Sequence, residues 1–158
     1  MDFKKQIESN NYLSKKYDYY FLFHDNEIYN NLEFNQKIKS FSLNNTADYL
    51  IVDLINLKAF DNYKGKSSVK IPLKNNLSLE YLDSINIEGD KTYEDLLFEF
   101  LIFDNINNWE IYCNVGKEFA VAGCNSDIAI LFDDFIKPYE YFSFEEKLEE
   151  LKTLFVKS

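Results

Sequence analysis

The run Trp109-Glu110-Ile111-Tyr112-Cys113-Asn114 leads through Val115-Gly116 into Lys117-Glu118-Phe119-Ala120-Val121-Ala122. Aromatic and β-branched residues on both sides of a glycine-containing turn predict an antiparallel hairpin. An isolated hairpin is marginal in water, so this segment requires more strands and a cover for its apolar face. After Gly123, Asp127-Ile128-Ala129-Ile130-Leu131-Phe132 reads as a third strand, apolar on both faces as a central strand would be. With a two-residue turn, Cys113 faces Glu118 and Cys124 faces Asn107, six residues further along the ladder. That is about 20 Å at ~3.3 Å per residue, beyond the ~7 Å Cα separation a disulfide allows. The cysteines therefore read as free thiols.

The rest of the chain supplies the partners. Residues 2–12 suit a short helix, and Tyr17-Asp18-Tyr19-Tyr20-Phe21-Leu22-Phe23 a buried strand ending at a turn, His24-Asp25-Asn26. Residues 27–34 and the alternating run 37–43 read as two more strands of an N-terminal meander. Asn45 or Thr46 is placed to cap a helix over 46–60, with Leu50, Leu54 and Leu57 on its buried face. Val69-Lys70-Ile71-Pro72-Leu73 reads as an edge strand, because proline cannot donate to a ladder. Thr92 and Asp95 suggest a helix reaching Phe103, and Ser143 with Glu146 a capped C-terminal helix. The expected fold is α+β: one domain spanning 1–158, in which an antiparallel sheet from N- and C-terminal meanders packs against three to four helices.

Charge narrows the functional classes. Residues 1–79 carry 11 Lys against 9 acids (+2), and residues 80–158 carry 6 Lys against 18 acids (−12), which together give the net charge of −10. Such a field repels nucleic-acid phosphates and anionic lipid and favours a basic partner. All 17 basic residues are lysine, so no bidentate guanidinium fork is available for phosphate or carboxylate. No stretch reaches the ~18 apolar residues needed to cross a bilayer, and the expected location is cytoplasmic.

Motifs for catalysis are thin. Gly65-Lys66-Ser67 resembles the end of a phosphate-binding loop, but position 60, where that motif needs glycine, is Phe. His24 is the sole histidine; with Asp25 and Glu27 it forms a cluster suited at most to weak binding of a divalent ion, against the commoner reading of an ordinary turn. Cys113 paired with His24 would be a nucleophile, against the commoner reading of a buried structural thiol. The expectation is a protein with no catalytic residues, cofactor or metal.

Asp133-Asp134 and the following Phe135-Ile136-Lys137-Pro138-Tyr139-Glu140-Tyr141-Phe142 make more sense as a contact surface. Tyrosine gives rigid amphipathic area, proline limits the entropy lost on binding, and the acids face a basic partner. The expected partner-binding residues are Asp133, Asp134, Tyr139, Glu140 and Tyr141, with Glu145 and Glu149 of the C-terminal helix.

From Trp109 to Gly123, the pattern Trp-Glu-Ile-Tyr, a short turn, then Glu118-Phe119-Ala120-Val121-Ala122-Gly123 resembles a hairpin of bacterial immunity proteins from polymorphic-toxin and contact-dependent inhibition systems. The resemblance implies a small cytoplasmic protein that binds a cognate toxin domain and blocks it. Many nuclease toxins are basic, and charge complementarity raises association rates. The alternatives are a self-associating adaptor, a DNA mimic and, last, an enzyme.

Overall fold

A computed structural model of the chain describes residues 13–55, 68–73, 86–88, 91–92 and 99–136. Six strands form one open antiparallel sheet: β1 (Tyr19–Phe23), β2 (Tyr49–Leu54), β3 (Ser68–Pro72), β6 (Glu99–Asp104), β7 (Trp109–Asn114) and β8 (Phe119–Cys124). Their spatial order is β1-β8-β7-β6-β2-β3, and β4 (Asn86–Glu88) pairs separately with β5 (Lys91–Thr92). Helices α1 (Asn26–Asn30), α2 (Leu32–Asn44) and α3 (Ser126–Phe135) complete the described elements. The α+β class and the antiparallel sheet hold; several elements expected from the sequence change type.

Residues 27–34 and 37–43 are helical, so there is no N-terminal meander. Asn31 Oδ1 accepts from the Phe34 backbone N–H at 3.0 Å, and Phe34, Ile38 and Ser42 bury one face at four-residue spacing. The alternation in 37–43 is a fragment of that longer 3.6-residue stripe. Conversely, the segment expected as helix 46–60 contains β2, in which Leu50, Val52 and Leu54 are buried and Tyr49, Ile51 and Asp53 half-buried. A segment apolar all round fits either period, and the β-branched Ile51 and Val52 favour the strand. The helix expected to end at Phe103 gives way to β6 in the same manner, with Phe100, Ile102 and Asp104 buried. The expected helices at 2–12 and from Ser143 lie outside the described residues.

The third strand expected at 127–132 is α3 instead. Ile128, Ala129 and Phe132 are buried while Ile130 points out, a helical spacing that alternation cannot produce. The β7–β8 hairpin is present, but its turn has four residues: Asn114 pairs with Phe119, and Glu118 takes a left-handed φ of 58°. Cys124 consequently faces Trp109 and Cys113 faces Ala120; both cysteines are free and buried. Pro72 does lie in an edge strand, β3.

One face of the sheet packs under the helices. Leu50, Val52, Val69, Ile71, Phe100, Ile102, Trp109, Ile111 and Ala122 join Phe34, Ile38, Ile128 and Phe132 in a single core. The opposite face carries a smaller cluster in which residues 13–17 lie as a strap, with Leu13 and Tyr17 against Leu22, Tyr112, Phe119 and Val121. Gly123 makes this possible: a Cβ there would stand 2.4 Å from Tyr17 Cδ2 and 2.6 Å from Leu13 Cδ1.

Candidate functional site

α3 lies over the β1 end of the sheet. Phe132 stacks on Phe21 with centroids 5.2 Å apart and touches Phe23 and Phe34, which fixes the rotation of the helix. With Ile128, Ala129 and Phe132 facing inward, the outward stripe is Ser126, Asp127, Ile130, Asp133 and Asp134. Ile130 is 60% exposed and has carboxylates on both sides along the helix.

Asp133 and Asp134 occupy the last turn of α3, which holds no basic residue. The carbonyl end of a helix carries partial negative charge, so each acid there costs about 0.3–1 kcal/mol. Asp127, in the first turn, works with the dipole. Asp133 also presses on the Cys124 thiol together with Asp18, and burial and these two charges push that thiol up to about 12. Asp18 directly precedes Tyr19, the register partner of Cys124, so Asp18 and Asp133 act on the thiol at that end of the β1–β8 pair.

Of the residues expected to bind a partner, Asp133 and Asp134 are exposed, on a helix and not in a loop. Tyr139, Glu140, Tyr141, Glu145 and Glu149 lie outside the described residues. Asp127 and Ile130 share the exposed stripe with them, which an expected strand over 127–132 hides; the spacing Asp127, Ile130, Asp134 is the signal that helical periodicity exposes.

The remaining chemical candidates make local contacts within the fold. His24 Nδ1 lies 3.1 Å from Asp25 Oδ1 and accepts from the Asn26 backbone N–H at 3.1 Å, within the turn that starts α1. Glu27 Oε2 accepts from Asn31 Nδ2 at 2.9 Å, and the same amide donates to the Phe135 carbonyl, tying α1 and α2 to the end of α3. Among the described residues no group of three or more His, Cys, Asp or Glu converges on a metal position. Burial first, and the Asp25 charge second, hold the Cys113 thiol far above its ordinary value, the opposite of what a nucleophile needs.

Two buried polar sites brace the sheet. Under the helices Ser42 Oγ donates to Asp104 Oδ2 at 2.8 Å and accepts from Trp109 Nε1 at 3.0 Å. Asp104 Oδ1 accepts from the backbone N–H groups of Ile106 (3.1 Å) and Asn108 (3.4 Å). On the strap side Glu110 Oε1 accepts from the Ser14 backbone N–H at 2.7 Å, and Lys15 Nζ donates to the Asn107 carbonyl at 2.7 Å. An apolar cleft between α2 and the sheet, lined by Phe34, Ile38, Leu50, Ile102, Trp109 and Ile111 among others, encloses about 20 Å³. That is room for one water.

No described helix is long and apolar enough to cross a membrane. Compared with protein-family models, with curated proteins and with solved structures, the chain matches none.

Proposed function

We propose that this is a non-enzymatic protein-binding module that uses the outer face of α3, most specifically an immunity or inhibitor protein that neutralises a basic toxin domain in the cytoplasm. The carrying observation is an exposed isoleucine set among Asp127, Asp133 and Asp134, two of these acids standing against the helix dipole. An apolar anchor within a charged rim is the usual anatomy of a specific interface. The net charge of −10 extends the attraction to a basic partner and selects against nucleic acid.

The test is a matched pair of affinity columns, wild type and Asp133→Lys/Asp134→Lys, loaded with lysate from the source organism and eluted with salt. A basic protein held until high salt by the wild type, and released early by the variant, supports the reading. The double variant should also be more stable, by about 0.3–1 kcal/mol per site, because lysine suits a helix C-terminus. Retention equal on both columns removes α3 as the docking surface.

A further inference from the structure

Residues 13–17 cross the sheet without joining its ladder. Among the described residues no backbone–backbone hydrogen bond ties them to a strand. They are held by the Ser14 amide on Glu110 Oε1, by Lys15 Nζ on the Asn107 carbonyl, and by the Tyr17 amide on Tyr20 Oη at 2.8 Å. Leu13 and Tyr17 are buried against Gly123 and the apolar side chains below, while Ser14, Lys15 and Lys16 between them are exposed. Closure of this strap carries two penalties. It takes Glu110 to 2% exposure, where burial raises its pKa, and it encloses the Tyr17 hydroxyl with no partner. The groups around Glu110 divide: the Ser14 bond and Lys15 favour its ionised form, and Asp53 of β2 opposes it. Tyr17 faces Glu110, Asp104, Tyr20 and Cys124, and burial first, then the Glu110 charge, keeps its phenol neutral.

We propose that residues 13–17 are a pH-operated strap: ionisation of Glu110 releases them while the sheet and helices stay folded, and the release uncovers Leu22, Tyr112, Phe119 and Val121. Opening returns the Glu110 carboxylate and the Tyr17 hydroxyl to water and breaks only side-chain-mediated bonds and the packing of Leu13 and Tyr17. Segments attached in this way open locally, below the free energy of global unfolding. Because Glu110 holds its proton more tightly under the strap, closure is favoured below its ordinary pKa and is lost as pH rises through the closed-state value. The device is independent of the docking face on α3.

The test is amide exchange in the full-length protein, read by NMR from about pH 5 to about pH 8 and expressed as protection factors. The Ser14 and Tyr17 amides should be at least about tenfold less protected than Ile102 and Ile111 in the sheet, and insensitive to low guanidinium, the mark of an opening that exposes little surface. Their protection should fall further as pH rises, and Glu110→Gln should abolish that fall. Tyr17→Phe, which deletes the unpaired hydroxyl, should raise their protection about tenfold. Equal protection of strap and sheet amides overturns the strap as a separate unit. A wild-type profile flat with pH, which needs no variant to fold, overturns Glu110 as the trigger, as does a fall that persists in Glu110→Gln. Exchange in Tyr17→Phe equal to wild type overturns the penalty assigned to the hydroxyl.

Discussion

The two faces of the sheet each bury a carboxylate, and they satisfy it differently. Under the helices, Asp104 is fully buried and takes three donors, from Ser42 Oγ and the Ile106 and Asn108 amides; Ser42 in turn accepts from Trp109. This closed network ties α2 to β6, β7 and the turn between them. Under the strap, Glu110 is 2% exposed and accepts from the Ser14 amide, with Lys15 nearby. Tyr17, 4% exposed, has a buried hydroxyl with no hydrogen-bond partner among the described residues. A buried polar group costs free energy unless paired, so the helix face is set for permanence and the strap face for weaker attachment.

Asp104→Ala should break the comparison most strongly. It leaves the buried Ser42 hydroxyl without its acceptor, at roughly 1–3 kcal/mol, and also releases the part-buried Ile106 and Asn108 amides of the turn, so a total loss of about 3 kcal/mol is expected. Guanidinium unfolding followed by the fluorescence of Trp109, the sole tryptophan, reads it directly. A loss below about 1 kcal/mol would mean the network is not the brace described here.

Gly123→Ala tests the strap. The new methyl group meets the Tyr17 ring and Leu13, so either the core strains, at about 1–3 kcal/mol, or residues 13–17 lift away. Faster tryptic cleavage after the exposed Lys15 and Lys16, with global unfolding shifted less, identifies lifting. Unchanged cleavage and unchanged stability would show that the strap does not need the glycine.

Glu110→Gln is expected to have the smallest effect, visible in its pH dependence. Burial raises the folded pKa of Glu110 above its ordinary 4.5, outweighing the Ser14 bonds and Lys15, which act to lower it. The ionised form is thus the disfavoured one in the folded protein. The contribution of Glu110 to stability is fully present below the unfolded value and is lost as pH rises through the folded value. Stability curves of wild type and Glu110→Gln should diverge across that window, the wild type losing more as pH increases. Parallel curves would show that the strap leaves Glu110 open to water.

The strands at β1, β3, β7 and β8 were legible because each is short and bounded by turn residues or proline. Pro72 marked its edge without any structure. Three of the failures share one cause, while 37–43 misled through a short polar–apolar alternation cut from a longer helical stripe. Residues 49–54, 99–104 and 127–132 are each apolar on more than one side, and such runs match helix and strand templates equally well. On the outer stripe of α3, Asp133 and Asp134 are expected from the sequence as acids leading into a tyrosine- and proline-containing segment, while Ile130 and Asp127 join them only once the segment is known to be a helix.

The sequence alone determined the charge asymmetry, the absence of arginine, an antiparallel hairpin at 109–124 and a blocked edge at Pro72, since these depend on composition or on turns of a few residues. Tertiary structure decided which ambiguous runs became strands and which became helices. A residue's type settles whether it wants burial, but which of its neighbours share the buried side depends on what is packed against it. Only the sheet, once assembled with β1 at its end, required a helix at 126–135 to cover Phe21 and Phe23. Covering them turned Ile130 and three carboxylates toward the solvent.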